Sequence, residues 1–523
     1  MSGGAAPAPD GGRRGAERVD GLACDLTGLV AVVAGLGLSG FSAADALLER
    51  GAAVTVVDDR VPAEGSPAAE RARLLELLGA RVLAGHDTHE GAQDLLAGAD
   101  LVVASPGWRP DHPVLLAAAG AGVTVWGEVE LAWRLQGGTA GPPWLVVTGT
   151  NGKTTTVELL GHVLRASGLR ARTAGNIGTP LVDVVRDTAP DGSPGHDVVA
   201  VELSSFQLHL VRTVSPYASV CLNLAPDHLD WHGGEQAYRD AKAQVYERTQ
   251  VACVHNLDDP VTTQMVREAD VVEGCRAVGF GLGTPAVGDV GVVEDLLVDR
   301  AFIDERASAA AELARVEDLA GLAGSPVPAH VVANALAAAT LARALGVPAE
   351  AVRDGLRGAA LPPHRAAPLG EVAGVRYVDD SKATNPHAAD ASLGASTDVV
   401  WVAGGLAKGA AYDDLVRRHA SRLRAAVLIG ADRELVADAL RRHAPEVPVR
   451  LVDPPDTGRV GALDSAGAAR FMDLVVAEAA ALAGPGSTVL LAPAAASMDQ
   501  FASYVARGEA FAGAVRRAAG GVA

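Results

Sequence analysis

Cysteine is scarce in this 523-residue chain: Cys24, Cys221, Cys253 and Cys275 are all there is, and no two stand in a CxxC pair. That fits a reducing compartment with buried or idle thiols rather than a disulfide framework. Positive charge is also short, with 44 Lys plus Arg against 63 Asp plus Glu, a net −19 without any basic block. This argues against nucleic acid or an anionic membrane as partner, while leaving anionic substrates open, because a local loop can still be positive. Long apolar runs are missing as well. The most apolar stretches, such as Thr488–Met498, are short and interrupted, so none is expected to span a membrane. The opening MSGGAAPAPDGGRRGAERVD lacks the apolar core of a signal peptide. It reads as a disordered tail over residues 1–25, and the chain is expected in the cytoplasm. Lysine is rare among abundant Ala, Gly, Arg and Val, a pattern that reads as coding bias without functional content.

What is present centres on Leu145–Thr156, LVVTGTNGKTTT. Three apolar residues form a short strand, a small-residue loop with Lys153-Thr154 follows, and Val157–Leu160 opens a helical pattern. This is the context of a phosphate-binding loop. Backbone N–H groups of Thr148, Gly149, Thr150, Asn151 and Gly152 can approach phosphate oxygens, helped by the helix N-terminus. Lys153 reaches the β/γ-phosphates and the Thr154 hydroxyl holds Mg²⁺. The general pattern wants a glycine five residues before Gly152, where this chain has Val147, so the loop is a variant.

The length suggests three domains. Val30–Ala34, Gly35-Leu36-Gly37-Leu38-Ser39-Gly40, a helix to Arg50 and the strand Ala53–Val57 ending in Asp58-Asp59-Arg60 make a βαβ unit with GxGxxG. That geometry suits NAD or any other pyrophosphate, including that of a UDP-sugar. Strand Asp100–Ala104 leads to Ser105-Pro106-Gly107 at the same crevice, and Arg60 is a phosphate or base contact candidate. His86, His89 and His112 lack metal-like spacing and are read as surface residues.

A Gly/Pro-rich stretch, Leu131–Pro143, opens the central domain. Strand Asp197–Leu203 carries Glu202 at its end, where a second Mg²⁺ ligand sits in P-loop domains, although a strand-end charge in solvent competes with that reading. Strand Ala218–Leu222 leads to a loop with Asp227, His228 and Asp230; His228 is either a metal ligand or an ordinary loop histidine. In the expected helix Gly234–Glu247, Lys242 shares an apolar stripe with Tyr238, Ala241, Val245 and Tyr246. It either snorkels to water or is desolvated, with a lowered pKa. Residues 280–325 read as an acidic, Gly-broken insertion at a sheet edge, and His330–Leu345 as a helix bearing Asn334. Leu361-Pro362-Pro363-His364-Arg365 marks a third domain of alternating strands and helices, hence a parallel sheet. Its strand-end loops hold Asp380, Lys382, Thr384, Lys408 and Ser497, a group that suits anions and that turn chemistry alone could also produce.

Together TGTNGKTTT, GNIG, ELSSFQL, DHLDWH, HVVANALAA, LPPHR, DDSKATNP, GGLAKG and SMDQFASYVARGEAF resemble the Mur ligases, from about Leu26 to the C-terminus. GLGLSG and the SMDQF segment resemble the branch of the family that adds D-glutamate. The resemblance implies an α/β chain of three domains: a Rossmann-like domain at 26–131, a P-loop ATPase-like parallel sheet at 132–360 and a Rossmann-like domain at 361–523. It implies an ATP- and Mg²⁺-dependent ligase of peptidoglycan precursor synthesis, acting as a monomer on UDP-N-acetylmuramoyl-L-alanine and D-glutamate. Lys153 and Thr154 then serve ATP and a first Mg²⁺ with Glu202, His228 binds a second Mg²⁺, and Lys242 is carbamylated. Asn334, Arg365 and Asp380 meet adenosine and phosphate. Leu38, Ser39, Asp58 and Arg60 form the uridine-diphosphate pocket beside Ser105 and Gly107. Asn176 serves the muramoyl end, and Ser204 is among the substrate contacts. Lys382, Thr384, Lys408, Ser497 and Tyr504 match the D-glutamate site. Val331 stands where the family usually has Asn, and Tyr504 where Phe is usual.

Three rivals are weighed against this. A folylpolyglutamate-type ligase lacks the GxGxxG domain, and a NAD dehydrogenase leaves the P-loop and third domain unexplained. A dead nucleotide-binding scaffold would not need Lys153, Glu202, His228 and Lys242.

Overall fold

The computed structural model describes residues 19, 25–85, 88–324, 326–360, 363–454 and 463–520. Most of the expected tail, with Cys24, His86, Leu361 and Pro362, lies outside those residues. The described residues fall into two compact units. One contains residues up to Ala314 with Asn334–Gly358, the other Arg315–Ala333 with Ala359 onward.

The first unit holds two sheets. Strands β1 (Val30–Ala34), β2 (Ala53–Asp58), β3 (Arg81–Ala84), β4 (Leu101–Ala104) and β5 (Thr124–Gly127) are parallel, in the order β3-β2-β1-β4-β5. The order reverses between β1 and β4, so their carboxyl ends open a crevice. The second sheet contains β6 (Trp144–Thr148), β7 (Ala171–Gly175), β8 (Val198–Glu202), β9 (Ala218–Cys221), β10 (Ala252–Asn256), β11 (Arg276–Phe280), β12 (Val290–Val293), β13 (Leu296–Asp299) and β14 (Ala311–Arg315). Its order is β14-β13-β12-β11-β10-β9-β6-β8-β7. Every residue of β6 is buried, as expected for a central parallel strand covered on both faces. The segment read as a Gly-broken insertion does extend the sheet edge, but as strands: β12 and β13 pair antiparallel from Val290↔Asp299 to Val293↔Leu296. The helix expected over Gly234–Glu247 is regular only over Glu235–Ala243; Val245 and Tyr246 follow in turns, yet both are buried.

The helix Glu128–Leu135 joins the two sheets, and one apolar core runs from Val33 and Leu101 through Trp126, Trp133 and Trp144 to Val146 and Val201. Buried Glu130 accepts hydrogen bonds from Arg134 Nε (2.8 Å), Thr213 Oγ1 (2.5 Å) and the N–H groups of Arg212 and Thr213. Burial pushes its carboxyl up, but those donors outweigh it and hold the pKa below the usual carboxylate range. The Arg134 guanidinium also lies 4.4 Å from the Trp126 ring centroid. Both side chains of the pair are almost wholly enclosed, so removing one partner strands a buried charge. Arg134→Ala is expected to lower unfolding free energy by about 3–5 kcal/mol, measured by urea denaturation. Arg186 adds ion pairs to Asp45 and Glu49, both at 2.8 Å.

The second unit contains β15 (Ala367–Val372), β16 (Val375–Asp379), β17 (Val399–Ala403), β18 (Leu423–Leu428), β19 (Val449–Leu451) and β20 (Thr488–Leu491), in the order β15-β16-β20-β17-β18-β19. Only β15 runs antiparallel, as a hairpin with β16. Two apolar clusters pack on its two faces, one around Trp401 and Leu415, the other around Phe471 and Phe511.

Candidate active site

The glycine loop of β6 leads into the helix Lys153–Ala166, capped by Gly152 in the left-handed region at φ 84°. A Cβ on Gly152 would come within 2.4 Å of Asn334 Oδ1, so a glycine is required where Asn334 packs on the loop. Val147 belongs to the strand, opposite Glu202 in register, which explains why no glycine stands there. Two side chains of the loop are committed internally. Thr148 Oγ1 donates to Leu203 O (2.8 Å), and Thr150 Oγ1 meets Tyr238 OH (2.9 Å) and accepts from Ala225 N (3.0 Å). Their hydroxyls therefore shape the loop. Asn151 is held by Asn223, whose Oδ1 accepts from Asn151 N at 2.9 Å.

Thr154 Oγ1 donates to Glu202 Oε2 (2.7 Å), and Asn176 Nδ2 donates to Glu202 Oε1 (2.9 Å). Glu202, at the end of the neighbouring strand, is thus clamped from both sides. Asn176 is brought to the carboxylate, a partnership that the sequence reading did not assign. Among the described residues no three His, Cys, Asp or Glu side chains converge as a cage for a metal ion. Mg²⁺ does not need one: it takes one or two carboxylates, waters and substrate phosphates. A hydroxyl and a carboxylate 2.7 Å apart at a phosphate loop fit that ion.

Lys153 Nζ donates to Gly149 O (2.8 Å) and Thr150 O (2.9 Å), and Lys242 Nζ donates to the same Gly149 O at 2.8 Å. Lys242 is buried, 5.0 Å from the Tyr238 ring centroid. Of the two sequence readings, the desolvated one is correct. Burial, and then the nearby Lys153 charge, draw its pKa down to about 7. Tyr238 lies one helical turn before Lys242, a spacing visible in the sequence, but its bond to Thr150 was not.

His228 caps the one-turn helix Leu229–His232 with a left-handed backbone, φ 52°. Its ring lies 4.8 Å from that of Phe206. His232 Nε2 meets Ser205 Oγ at 3.0 Å, and burial holds its pKa down at about 4, so it is neutral. Ser204 is the N-cap of the helix Ser205–His209; its hydroxyl accepts from Gln207 N and donates to Gln207 Oε1 (3.2 and 3.1 Å) in a capping box.

At the crevice of the first sheet, the helix Leu38–Glu49 starts without a side-chain cap, leaving the N–H groups of Leu38 and Ser39 open to an anion. Asp58 accepts from Leu36 N (2.9 Å) and Arg60 N (3.0 Å), fixing the glycine turn. Arg60 itself projects into solvent, 92% exposed. Ser105 Oγ is buried without a partner, 2.6 Å from where a Cβ on Gly35 would stand. Gly107 is exposed. His112 is not the surface residue expected: only 13% exposed, it contacts Asp59 Oδ2 (3.0 Å) and caps the helix Pro113–Ala121.

In the second unit, Asp380, Lys382 and Thr384 follow β16. Burial lifts Asp380 to about 6, although the Ser392 hydroxyl and Ala366 N–H donate to it. Partly buried Arg365 adds a charge that lowers it. Lys382 Nζ lies 4.1 Å from the Tyr504 ring centroid. Ser497 is buried, while Lys408 is exposed with φ 50°. Arg507, quoted in the sequence only as part of a motif, is fully buried and ties Ser381 to Ala495. The chain has four lysines in all, Lys153, Lys242, Lys382 and Lys408, and every one is a candidate site residue.

Comparison with known proteins gives three matches in chain order. They are a MurD-like N-terminal domain of Mur ligases at residues 30–127, the Mur ligase middle domain at 147–342 and the Mur ligase glutamate ligase domain at 364–495. The UDP-N-acetylmuramoylalanine–D-glutamate ligase of Streptomyces avermitilis is 55% identical over 487 residues, covering 92% of this chain and 97% of its own. The ligase of the same name from Mycolicibacterium smegmatis is 48% identical, covering 94% and 97%. Among solved structures, a pseudomurein peptide ligase type C from Methanothermus fervidus has TM-score 0.53 at 18% identity, covering 94% of this chain and all of its own. A UDP-N-acetylmuramate-alanine ligase from Thermotoga maritima has TM-score 0.52 at 16% identity, covering 94% and 99%. The two structures are similar in fold alone.

Proposed function

The chain belongs to the Mur ligase family, and from that premise we propose that it joins D-glutamate to UDP-N-acetylmuramoyl-L-alanine at the expense of ATP. The observation that carries the reading is the P-loop cluster: Glu202 bonded to Thr154, with the amines of Lys153 and Lys242 both on Gly149 O.

A carboxylate does not react with an amine at neutral pH, so a better leaving group is installed first. The L-alanyl carboxylate takes the γ-phosphoryl of ATP. The D-glutamate amine attacks the acyl phosphate, and the tetrahedral intermediate expels phosphate to leave the amide. Lys153 and the loop N–H groups hold the phosphates, and Thr154 with Glu202 holds Mg²⁺, as His228 does for a second ion. Bound Mg²⁺ supplies neutralisation of charge on the transferring phosphoryl group. With its pKa drawn down to about 7, Lys242 is about half free amine in neutral solution, against a very small fraction for an ordinary lysine, and the free amine is the form that takes up CO₂. The carbamate turns a buried cation into an anion suited to a metal site. The crevice of the first sheet takes the uridine diphosphate through Leu38, Ser39, Asp58 and Ser105, with Asn176 toward the muramoyl end. Asn334, Arg365 and Asp380 serve the adenine nucleotide. Lys382, Lys408, Thr384, Ser497 and Tyr504 serve D-glutamate, two cations for two carboxylates. The fit to a monomer working in the cytoplasm is part of the same reading. Among the described residues no helix is long and apolar enough to cross a membrane.

Phosphate release from ATP with Mg²⁺ is the test. Release is expected only when both UDP-N-acetylmuramoyl-L-alanine and D-glutamate are present, and L-glutamate or meso-diaminopimelate should not replace the D-amino acid. Equal rates with either substitute would overturn the assignment of the amino acid. Release indifferent to the muramoyl substrate would overturn the ligase itself.

A further inference from the structure

The loop after β4 carries Ser105 and Gly107 of the proposed uridine-diphosphate pocket, and two residues beyond them stands Arg109. Its guanidinium leaves that loop. Nη2 donates to the backbone carbonyl of Asp230 at 2.9 Å, and Nη1 lies 3.8 Å from Asp230 Oδ2. Asp230 belongs to the one-turn helix behind His228, so a residue of the first sheet holds the turn that bears a proposed metal ligand of the second.

On the side of Asp230 the turn meets Arg109; on the other, Trp231 and His232 make ring contacts with Phe206, His209 and Tyr238. None of its four residues is buried, and left-handed residues bound it on both sides, His228 at φ 52° and Gly233 at φ 81°. Aromatic contacts to Phe206 and the bond of His232 to Ser205 anchor its inner side. Arg109 grips it from the opposite direction in sequence. The guanidinium is oriented on its own loop by Asp111, with Nε to Oδ1 at 3.1 Å and Nη2 to Oδ2 at 3.5 Å. Trp108, beside it, places Nε1 3.1 Å from the Cβ position of Gly35, and its ring meets that of His112 at a tilt of 51°, with centroids 4.1 Å apart. The side chains of Arg109, Asp111 and Asp230 are 47%, 69% and 80% exposed, and exposed ion pairs add little to stability. The contact is therefore of interest for geometry rather than for folding.

We infer that Arg109 is a positioning residue: it transmits occupancy of the muramoyl-nucleotide crevice, through the Asp230 carbonyl, to the placement of His228. A ligand settling against Ser105, Gly107 and Trp108 stiffens the loop, and Arg109 carries that order to the His228 turn. Metal binding at His228 is then tighter with the muramoyl substrate than without it, and by linkage the substrate binds more tightly with the metal. A lysine cannot replace this residue, because a point charge on a flexible stem lacks the planar fork that meets Asp111 and Asp230 together. The inference rests on the proposed roles of the crevice and of His228.

The test needs no turnover. Mn²⁺ in place of Mg²⁺ is titrated by electron paramagnetic resonance on wild type, Arg109→Ala and Arg109→Lys, with and without UDP-N-acetylmuramoyl-L-alanine, in the absence of ATP and D-glutamate. Wild type is expected to bind Mn²⁺ about tenfold more tightly with the muramoyl substrate, a coupling of ordinary allosteric size. Both variants are expected to lose most of that gain while keeping the affinity and melting temperature of the free protein. Asp111→Asn, which leaves the guanidinium but frees it, should lose part of the gain and guards against a variant that misfolds. Equal substrate-induced tightening in Arg109→Ala and wild type would overturn the inference, as would its absence in wild type. Both results are distinguishable from failure of the ligase reading, which is scored by D-glutamate-dependent phosphate release in wild type.

Discussion

Lys242→Ala is expected to lower D-glutamate-dependent turnover by about a hundred- to a thousand-fold, the scale of losing one preorganised electrostatic group in a dry site. Added formate or acetate should restore part of it, because the truncated side chain leaves a space beside Gly149 O and the Tyr238 ring where a small carboxylate can stand in for the carbamate. Activity with no recovery over a range of carboxylates would count against the carbamate role. The pH behaviour provides a second readout. In the folded chain the amine titrates near 7, whereas its ordinary value is 10.5. Between those values the unfolded chain binds more protons, so stability rises with pH across that window, and below it the full cost of a buried ammonium is present. Lys242→Ala removes the group and should flatten that part of the pH–stability curve, measured by urea denaturation in CO₂-free buffer. Carbamylation requires the free amine, so the wild type should lose activity on equilibration below about pH 7.

Arg507→Ala is expected to cost about 3–5 kcal/mol, among the largest effects of any single change in the second unit. Its guanidinium is wholly enclosed and meets only neutral acceptors: Ser381 Oγ at 3.0 Å, Ser381 O at 2.9 Å and Ala495 O at 3.2 Å from both terminal nitrogens. Burial draws its pKa down to about 10, with Asp499 and Asp379 countering from farther away. Removing it leaves two carbonyls and a hydroxyl without donors, and a cavity besides. The loops it joins lead to Lys382 on one side and Ser497 on the other, so a surviving fraction should show a KM for D-glutamate raised about tenfold, since small misplacements are costly in a positioned site. Urea unfolding and steady-state kinetics measure the two effects separately. Arg507→Lys should not rescue, because one ammonium cannot serve the same divergent acceptors.

The parts legible in the sequence were those that burial on both faces makes apolar throughout. Val30–Ala34 and Thr488–Leu491 have the boundaries read from their residues, and both are interior strands. The strands missed include β3, β5, β7, β14 and β15, which are edge strands and need no unbroken apolar run. Candidate site residues stood out wherever a loop combined glycine with an uncommon polar group. What could not be read was the commitment of each polar atom. Nothing in the order of residues says that Asn176 braces Glu202, that the Ser204 hydroxyl is spent on a helix cap, or that Arg507 is enclosed. Those are contacts between residues distant in sequence, or choices among equivalent local bonds, and only the assembled chain decides them. Lysine scarcity, read as coding bias without content, was the signal overlooked. Where any cation suffices this chain uses arginine, and its four amines remain at candidate site positions.

That inventory makes the protein unusually transparent to amine chemistry. Acylating or reductive-methylating reagents, which on most proteins decorate dozens of surface lysines, have only Lys153, Lys242, Lys382, Lys408 and the chain's own amino terminus to modify. Lys408 is exposed and Lys242 enclosed, so the order in which mass is gained maps the site directly, and each ligand's footprint appears against almost no background.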